Sequence, residues 1–159
     1  MKFLKLKQKQ IIYINKKLKT RSVLLLGPRQ TGKTSYLKNE LDESIVLEWD
    51  LLKAGIRRRA ESDPEILGKE IRELGITSDS GIVVIDEIQK VPELLDEVHS
   101  LIEERKIRFL LTGSSARKLK KAGVNLLGGR ASQIKMHPFV YKELAESGEK
   151  DLEETFLRG

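Results

Sequence analysis

The stretch SVLLLGPRQTGKTSYL, residues 22–37, decides the fold. An apolar run leads directly into a glycine-rich loop, and a helical pattern follows the loop. The loop fits the pattern GxxxxGK[ST], in which two glycines allow backbone amides to approach an anion and the lysine adds a positive charge. A chance match is rare in a chain of this length, even before a flanking strand and helix are required. The stretch therefore predicts a phosphate-binding loop between a strand and a helix.

The residues of this loop have separate expected roles. Lys33 is expected to reach the β- and γ-phosphates of a nucleoside triphosphate, and the Thr34 hydroxyl to bind magnesium. Arg29 lies inside the loop, but its side chain is equally consistent with an outward orientation. The predicted nucleotide-binding residues are Gly27, Pro28, Arg29, Gln30, Thr31, Gly32, Lys33, Thr34 and Ser35.

Five short apolar runs predict a sheet, and helical patterns lie between them. Because parallel strands need long crossovers, we expect an α/β three-layer sandwich, with a five-stranded, mostly parallel sheet and helices on both faces. One helix should begin at Pro92 and bury a stripe from Leu94 to Ile102, with His99 beside it. Another should begin at Asp63 and Pro64, end at Gly75, and bury Ile66, Leu67, Ile71 and Leu74. The predicted strands are residues 22–26, 44–49, 81–85, 107–111 and 132–136.

Composition narrows the class of protein. The chain contains no cysteine, which excludes a disulfide scaffold and a cysteine-ligated zinc site. No apolar run approaches the ~20 residues of a membrane-spanning helix, and lysines interrupt the N-terminal apolar residues where a signal peptide would need a continuous run. We therefore expect a soluble, cytoplasmic protein with no membrane contact.

Positive charge is concentrated at the N-terminal end. Eleven Lys or Arg residues precede the first acidic residue, Glu40. The predicted organisation is a basic N-terminal segment (1–20), a nucleotide-binding core (21–137) and the truncated beginning of a helical lid or linker (138–159). The basic arm is a candidate contact for nucleic acid, although a solvated amphipathic segment is the more common form of such a pattern. Its lysines are Lys2, Lys5, Lys7, Lys9, Lys16, Lys17 and Lys19.

The third predicted strand delivers two carboxylates to the end of the sheet. In IVVIDEIQ, residues 82–89, four apolar residues precede Asp86 and Glu87. Ligands bind at this edge in open α/β sheets. Asp86 is the expected magnesium ligand, directly or through water, and Glu87 the base that orients and deprotonates an attacking water. Such a pair alone is usually a solvated turn, but the upstream loop favours a Walker B motif.

The fourth predicted strand ends in FLLTGSSA, residues 109–116. Ser114 is our first choice for a hydrogen bond to the attacking water or the γ-phosphate, and Thr112 is the second. A helix N-cap formed by Ser114 or Ser115 is an equally good interpretation, and the two roles are compatible.

Arginines and aromatic residues leave more alternatives open. Arg130, in LLGGRAS, is the candidate that would stabilise charge on the transferring phosphoryl group, in its own or a neighbouring subunit, with an ordinary surface arginine as the alternative. The run Arg57–Arg59 is consistent with a solvated helix face or with nucleic-acid contact. Residues 12–14 are consistent with packing on a purine or with plain core. ATP is preferred over GTP, because the guanine-reading signature is absent after the third strand.

Together, GPRQTGKT, IVVIDEIQKVP, LLTGSSA and LLGGRASQIKMHPFVYKEL resemble the AAA+-type ATPases of archaea and bacteria. The resemblance covers about residues 10–145 and is to the branch in which the ATPase domain precedes a larger C-terminal region. We therefore expect these 159 residues to be a fragment without that region. It implies a parallel five-stranded sheet of the ASCE/AAA+ type, with the Walker B strand between the other two nucleotide-facing strands. It also implies ATP and magnesium at Lys33, Thr34, Asp86 and Glu87, a sensor role for Ser114, and a family Gly-Arg position at Arg130.

The leading hypothesis is an ATPase that hydrolyses MgATP to ADP and phosphate and so drives a conformational change, in a DNA-associated or multi-domain assembly that can include a homo-oligomer. A nucleoside kinase of the thymidine kinase type is one alternative, since such enzymes also combine a GPxxxGKT loop with a DE-x-Q strand end. A nucleotide-binding module that does not hydrolyse is another.

Overall fold

Five parallel strands form a single sheet in the computed structural model, which describes residues 12–28, 33, 37, 41, 44–114, 119 and 127–136. The predicted strands are confirmed to within two residues at either end, and the α/β class with them. Their bounds are β1 Ser22–Leu26, β2 Ile45–Asp50, β3 Ile82–Asp86, β4 Arg108–Gly113 and β5 Ala131–Lys135.

The strand order β2-β3-β4-β1-β5 corrects one expectation. The Walker B strand β3 does not lie between the other two nucleotide-facing strands. Instead β4 occupies that place, because Leu110 pairs with Val23 of β1 on one side and Val84 of β3 on the other. Residues 109–113 are all buried, as expected for a strand with neighbours on both sides and helices on both faces. The end of β4 therefore lies in the middle of the candidate site.

Alternation along β1 assigns its side chains to two cores. Leu24 and Leu26 pack in one cluster with apolar residues of the described helices, whereas Val23 and Leu25 pack in the other with Ile14. Successive side chains of a strand point to opposite faces, so apolar residues cover the sheet on both sides, as predicted.

Three described helices cover the first of these faces: α1 Ala54–Ser62, α2 Ile66–Glu73 and α3 Leu94–Arg105. Residues 12–18 are also helical, and short 3-10 turns span Ile88–Lys90 and Leu127–Gly129. α3 begins two residues after Pro92 and buries the expected stripe, with Ile102 partly buried at its edge and His99 half-buried beside it. No helix in the described part of the chain is long and apolar enough to cross a membrane.

The prediction that Leu74 is buried is wrong. α2 ends at Glu73, and Gly75 turns the chain with φ 65°, which leaves Leu74 58% exposed. The Ile76 N–H then bonds back to the Ile71 carbonyl, and Ile76 is buried in its place. The helical period continues to predict an inward residue only while the helix itself continues.

A second glycine is required where β3 begins. Gly81 has φ 148°, and a Cβ at this position would lie 2.6 Å from the Ser44 carbonyl oxygen. Gly81→Ala is therefore expected to lower the free energy of unfolding by about 1–3 kcal/mol, measured by urea denaturation.

Gly55 supplies the matched control for that experiment. It lies in the first turn of α1, and nothing lies within 4 Å of a Cβ built there. Gly55→Ala should raise the free energy of unfolding by about 0.5–1 kcal/mol, since alanine is the better helix former. Equal midpoints for Gly81→Ala and the wild type would contradict our account of the Gly81 turn.

Candidate functional site

The ends of β1, β3 and β4 meet at the carboxyl edge of the sheet and bring buried polar groups together. The Gly27 N–H bonds to the Gly113 carbonyl at 3.0 Å, so the loop leaves β1 beside the end of β4. Among the described residues, five polar or charged side chains are buried, and all except Ser22 belong to this edge: Lys33, Asp86, Glu87 and Thr112. A buried charge is costly unless a nearby charge of the opposite sign offsets it.

Lys33 folds back over the start of the loop. Its Nζ donates to the carbonyl oxygens of Gly27 at 2.6 Å and Pro28 at 2.7 Å, and the residue is 5% exposed. Burial lowers the pKa of the ammonium, while the nearby carboxylates of Glu87 and Asp86 act in the opposite direction. The predicted phosphate-binding lysine and the predicted acid pair are thus within electrostatic reach of one another.

The Thr112 hydroxyl joins the acid pair to β4. It accepts a 3.2 Å hydrogen bond from the Glu87 N–H and donates to Asp86 Oδ1. Thr112 is fully buried, so this hydroxyl satisfies one backbone donor and one carboxylate oxygen away from water. Sequence reasoning makes Thr112 the second choice for a contact with phosphate or water, but within the described residues its hydroxyl bonds to the acid pair.

Burial raises the pKa of Asp86, and the neighbouring carboxylates of Glu87 and Asp50 raise it further, while the Thr112 hydrogen bond opposes the shift. Asp50 ends β2 directly beside Asp86 in the parallel register. The edge thus places carboxylates, which suit a cation, close to the Lys33 ammonium, which suits an anion.

Glu87 has an uncommon backbone conformation. At φ 58° and ψ 45° it lies in the left-handed region, which costs a non-glycine residue of order 1–3 kcal/mol. This residue follows β3 directly and is the N-cap of the 3-10 turn Ile88–Lys90. In a regular strand, successive side chains point to opposite faces. The left-handed conformation of Glu87 breaks this alternation, and Asp86 and Glu87 are both buried at the same edge.

Gln89 was not singled out by sequence reasoning, although it is part of the quoted motif. Its Nε2 donates to Glu87 Oε2 and, at 2.9 Å, to Ser114 Oγ. The structure therefore brings Ser114 to the acid pair through Gln89. The N-cap alternative for Ser114 and Ser115 depends on residues 115–118, which lie outside the described part of the chain.

Arg130 lies at the opposite edge of the sheet. Ala131 pairs with Ser22, where β1 begins, whereas the loop containing Lys33 leaves the other end of β1. The Arg130 guanidinium donates to Glu103 Oε1 and, at 3.3 Å, to the Gly128 carbonyl. The structure thus does not bring Arg130 to the other predicted site residues.

Other candidates divide into two groups. Arg57 and Arg59 pair with Glu61 and Glu70 on the surface of α1 and α2, while Arg58 is exposed, consistent with the solvated-face interpretation. Of residues 12–14, the first two are exposed and Ile14 is core. The predictions for Arg29, Gln30, Thr31, Gly32, Thr34, Ser35 and the first four arm lysines lie outside the described residues.

The donor set at this edge includes the buried carboxylates of Asp86 and Glu87. No group of three or more His, Asp or Glu residues suited to a metal occurs in the described ranges. Two buried carboxylates close to a lysine do suit a hard cation that keeps water and phosphate oxygens among its ligands. The residues present fit magnesium bound together with a polyphosphate, not an all-protein cage.

A parallel sheet with a glycine-rich loop after β1 and an acid pair at the end of β3 defines a P-loop nucleotide-binding domain of the α/β class. The chain belongs to the AAA domain family, whose profile matches residues 19–145. It is therefore a nucleotide-binding, ATPase-like module.

Two relatives are uncharacterised proteins of Mycobacterium bovis and Mycobacterium tuberculosis. Each is 27% identical to this chain over 139 residues, which cover 86% of the chain. The match covers 29% of the length of each relative, so the chain spans less than a third of these proteins.

The Thr112 bridge generates a stability prediction. Thr112→Val keeps the side-chain shape but removes the hydroxyl from a buried carboxylate and a backbone donor, so we expect a loss of about 2–3 kcal/mol in the free energy of unfolding. Thr112→Ser, which retains the hydroxyl, should lose only about 1 kcal/mol. Urea denaturation of both variants tests this, and a valine variant no less stable than the serine variant would contradict it.

Asp86 generates a pH-dependent prediction. Its folded-state pKa lies above the ordinary 3.8, so the native chain binds this proton more tightly than the unfolded chain, and ionisation of Asp86 destabilises the fold as pH rises through the folded value. Asp86→Asn should therefore raise the thermal midpoint at about pH 7.5 by a few degrees. The gain should shrink as pH falls towards 3.8.

The exposed Asp79 provides the control for this experiment. Asp79→Asn should leave the thermal midpoint nearly unchanged at both pH values, because no buried charge is removed. A pH-independent gain in Asp86→Asn would show that something other than its charge is responsible.

Proposed function

We propose that this domain binds MgATP at the carboxyl edge of its sheet and hydrolyses it to ADP and phosphate, so that the nucleotide state changes the conformation of a larger assembly. The observation that supports it most is that Lys33, Asp86 and Glu87 are buried within electrostatic reach of one another, and that none of the three is more than 9% exposed. Membership of the AAA domain family supports the nucleotide-binding part.

In this proposal the phosphates replace the carbonyl partners of Lys33. Its Nζ is held at the Gly27 and Pro28 carbonyls, where the loop leaves β1, and can turn from them to β- and γ-phosphate oxygens. Backbone amides of residues 27–34 would add further donors. Exchange of two neutral acceptors for a polyanion strengthens the interaction, since hydrogen bonds between charged groups are the stronger ones.

Asp86 and the Thr34 hydroxyl would hold magnesium, Asp86 directly or through water. When bound, the ion would neutralise charge on the β- and γ-phosphates. The Thr112 hydroxyl keeps Asp86 Oδ1 oriented, and the second oxygen of that carboxylate is the better placed for the ion or its water.

Glu87 would act as the base. Its carboxylate accepts the proton from a water whose oxygen attacks the γ-phosphorus, the bond from that phosphorus to the bridging oxygen breaks, and ADP leaves. Ser114, one residue beyond β4, would hydrogen-bond the attacking water or the γ-phosphate.

Arg130 enters the proposal only through a second copy of the chain. The five residues of β5 separate it from the carboxyl edge of its own sheet, about 16 Å at 3.3 Å per residue. A contribution to phosphoryl transfer would need a homo-oligomer in which this edge faces a neighbour's nucleotide. Nucleic-acid binding by the basic arm and a cytoplasmic location also stay predictions.

A kinase of the thymidine kinase type remains the second candidate on motif grounds. The ATPase and the kinase differ in the group that accepts the phosphate, water in one and a nucleoside in the other. Phosphate release from MgATP without any nucleoside is therefore expected only for the ATPase. Turnover that depends on an added nucleoside would favour the kinase.

The base assignment has its own test. Glu87→Gln should retain ATP binding and lose at least a hundredfold in turnover, because the amide cannot accept the proton, at a cost of roughly 10²–10⁴ for general-base catalysis. Binding of a fluorescent ATP analogue and phosphate release measure the two properties separately. Lys33→Ala should instead lose binding.

Glu48→Gln is the matched control. Glu48 is exposed on β2, at a position with no part in the site, and the same substitution there should leave turnover unchanged. Wild-type turnover in Glu87→Gln would refute the assignment of the base, whereas no phosphate release from the wild type, with ATP bound, would favour the non-hydrolysing module.

A further inference from the structure

Both the nitrogen and the oxygen of the Gln89 carboxamide form hydrogen bonds between the ends of β3 and β4. Its amide nitrogen donates to Glu87 Oε2 and to Ser114 Oγ, and its Oε1 accepts the Ser114 N–H at 3.3 Å. A backbone N–H can only donate, so the carboxamide oxygen must face it and the nitrogen must face Glu87. The network therefore has one consistent orientation.

The backbone around Gln89 is fixed. Ile88 is fully buried below the 3-10 turn, the Lys90 N–H bonds to the Glu87 carbonyl at 2.9 Å, and the Val91 N–H bonds to the Ile88 carbonyl at 3.1 Å. At the facing strand end, a Cβ on Gly113 would lie 2.8 Å from Gln89 Oε1. Glycine at that position leaves the space that the carboxamide occupies.

From this geometry we propose that Gln89 is a positioning residue for Glu87, and that it couples the orientation of this base to Ser114 at the end of β4. The inference rests on the proposed function, in which Glu87 deprotonates the attacking water. A glutamate carboxylate rotates about three side-chain torsions, the last of which is broad. The amide donor restrains Oε2, and the other oxygen is thereby held in one direction to receive the proton.

This role differs from a purely structural one. Gln89 is half-buried and bonds to groups at one edge of the sheet, so its removal should change the orientation of the base more than the binding of nucleotide. A base that is less well oriented slows the chemical step but leaves nucleotide binding intact, so kcat falls and KM is nearly unchanged. A displacement of a catalytic group by about 1 Å is enough to slow the reaction about a hundredfold.

The experiment measures phosphate release by the whole chain from MgATP without acceptor. Gln89→Ala should lower kcat about ten- to a hundredfold and change KM less than about twofold. Gln89→Glu, which retains size but replaces the donor with a second carboxylate next to Glu87, should lower kcat at least as much. Gln133→Ala, at an exposed position on β5, is the matched control and should match the wild type.

Coupling to Ser114 is tested by a double-mutant cycle. Because the two side chains share one network, the fold-losses of Gln89→Ala and Ser114→Ala should not multiply, and the double variant should be about as slow as the slower single variant. Thermal midpoints and binding of the ATP analogue identify variants that do not fold. If Gln89→Ala does not fold, Gln89→Asn removes the same hydrogen bonds by shortening the side chain and is measured in its place.

The outcomes separate two failures. Hydrolysis by the wild type with unchanged or raised kcat in Gln89→Ala, a rise in KM alone, or fold-losses that multiply would overturn the positioning role and leave the proposed function intact. Absence of hydrolysis in the wild type would overturn the proposed function, and the role of Gln89 with it.

Discussion

The candidate site depends on the compensation of buried charge at the carboxyl edge of the sheet. An ammonium and two carboxylates are held where water has little access, and the negative charge partly offsets the cost of burying the ammonium. The compensation is incomplete, because burial lowers the pKa of Lys33 and raises that of Asp86. Both shifts have burial as their largest cause, and in each the neutral form is favoured more than it is in water.

The central position of β4 makes this arrangement possible. It is paired on both sides and contributes Thr112 to Asp86 and the Glu87 backbone, and Ser114 just beyond its end bonds to Gln89. β1 on its other side carries the loop. β4 has no charged residue at its carboxyl end, and it connects the strand that carries the phosphate loop to the acid pair. The buried apolar run Phe109–Leu111 fixes its depth in the sheet.

Local patterns were sufficient to predict the five strands and to single out Lys33, Asp86 and Glu87, which the structure buries at one edge of the sheet. Apolar runs predicted all five strands because β-propensity and burial act over a few residues. Strand order was beyond local patterns, since it depends on which distant strands pair. Leu74 was predicted to be inside because the helical period was continued up to Gly75, whereas the helix itself ends at Glu73. The hydrogen bond from Gln89 to Ser114 could not be predicted from local patterns either. It joins residues 25 positions apart, and nothing in DEIQ identifies Ser114 as the partner.

Glu87 combines these points in one residue. A non-glycine residue with φ 58° directly after a buried strand reduces stability, and so does a carboxylate placed next to another. A chain selected for stability alone would have a small or polar residue here that relieves both. Strain and like-charge repulsion that persist together are most readily understood as costs of a function, because natural proteins depart from local rules mainly at functional sites. A bound ligand that interacts with the folded chain alone would offset those costs, and the ligand that best fits them has negative charge for Lys33 and carries a cation for Asp86.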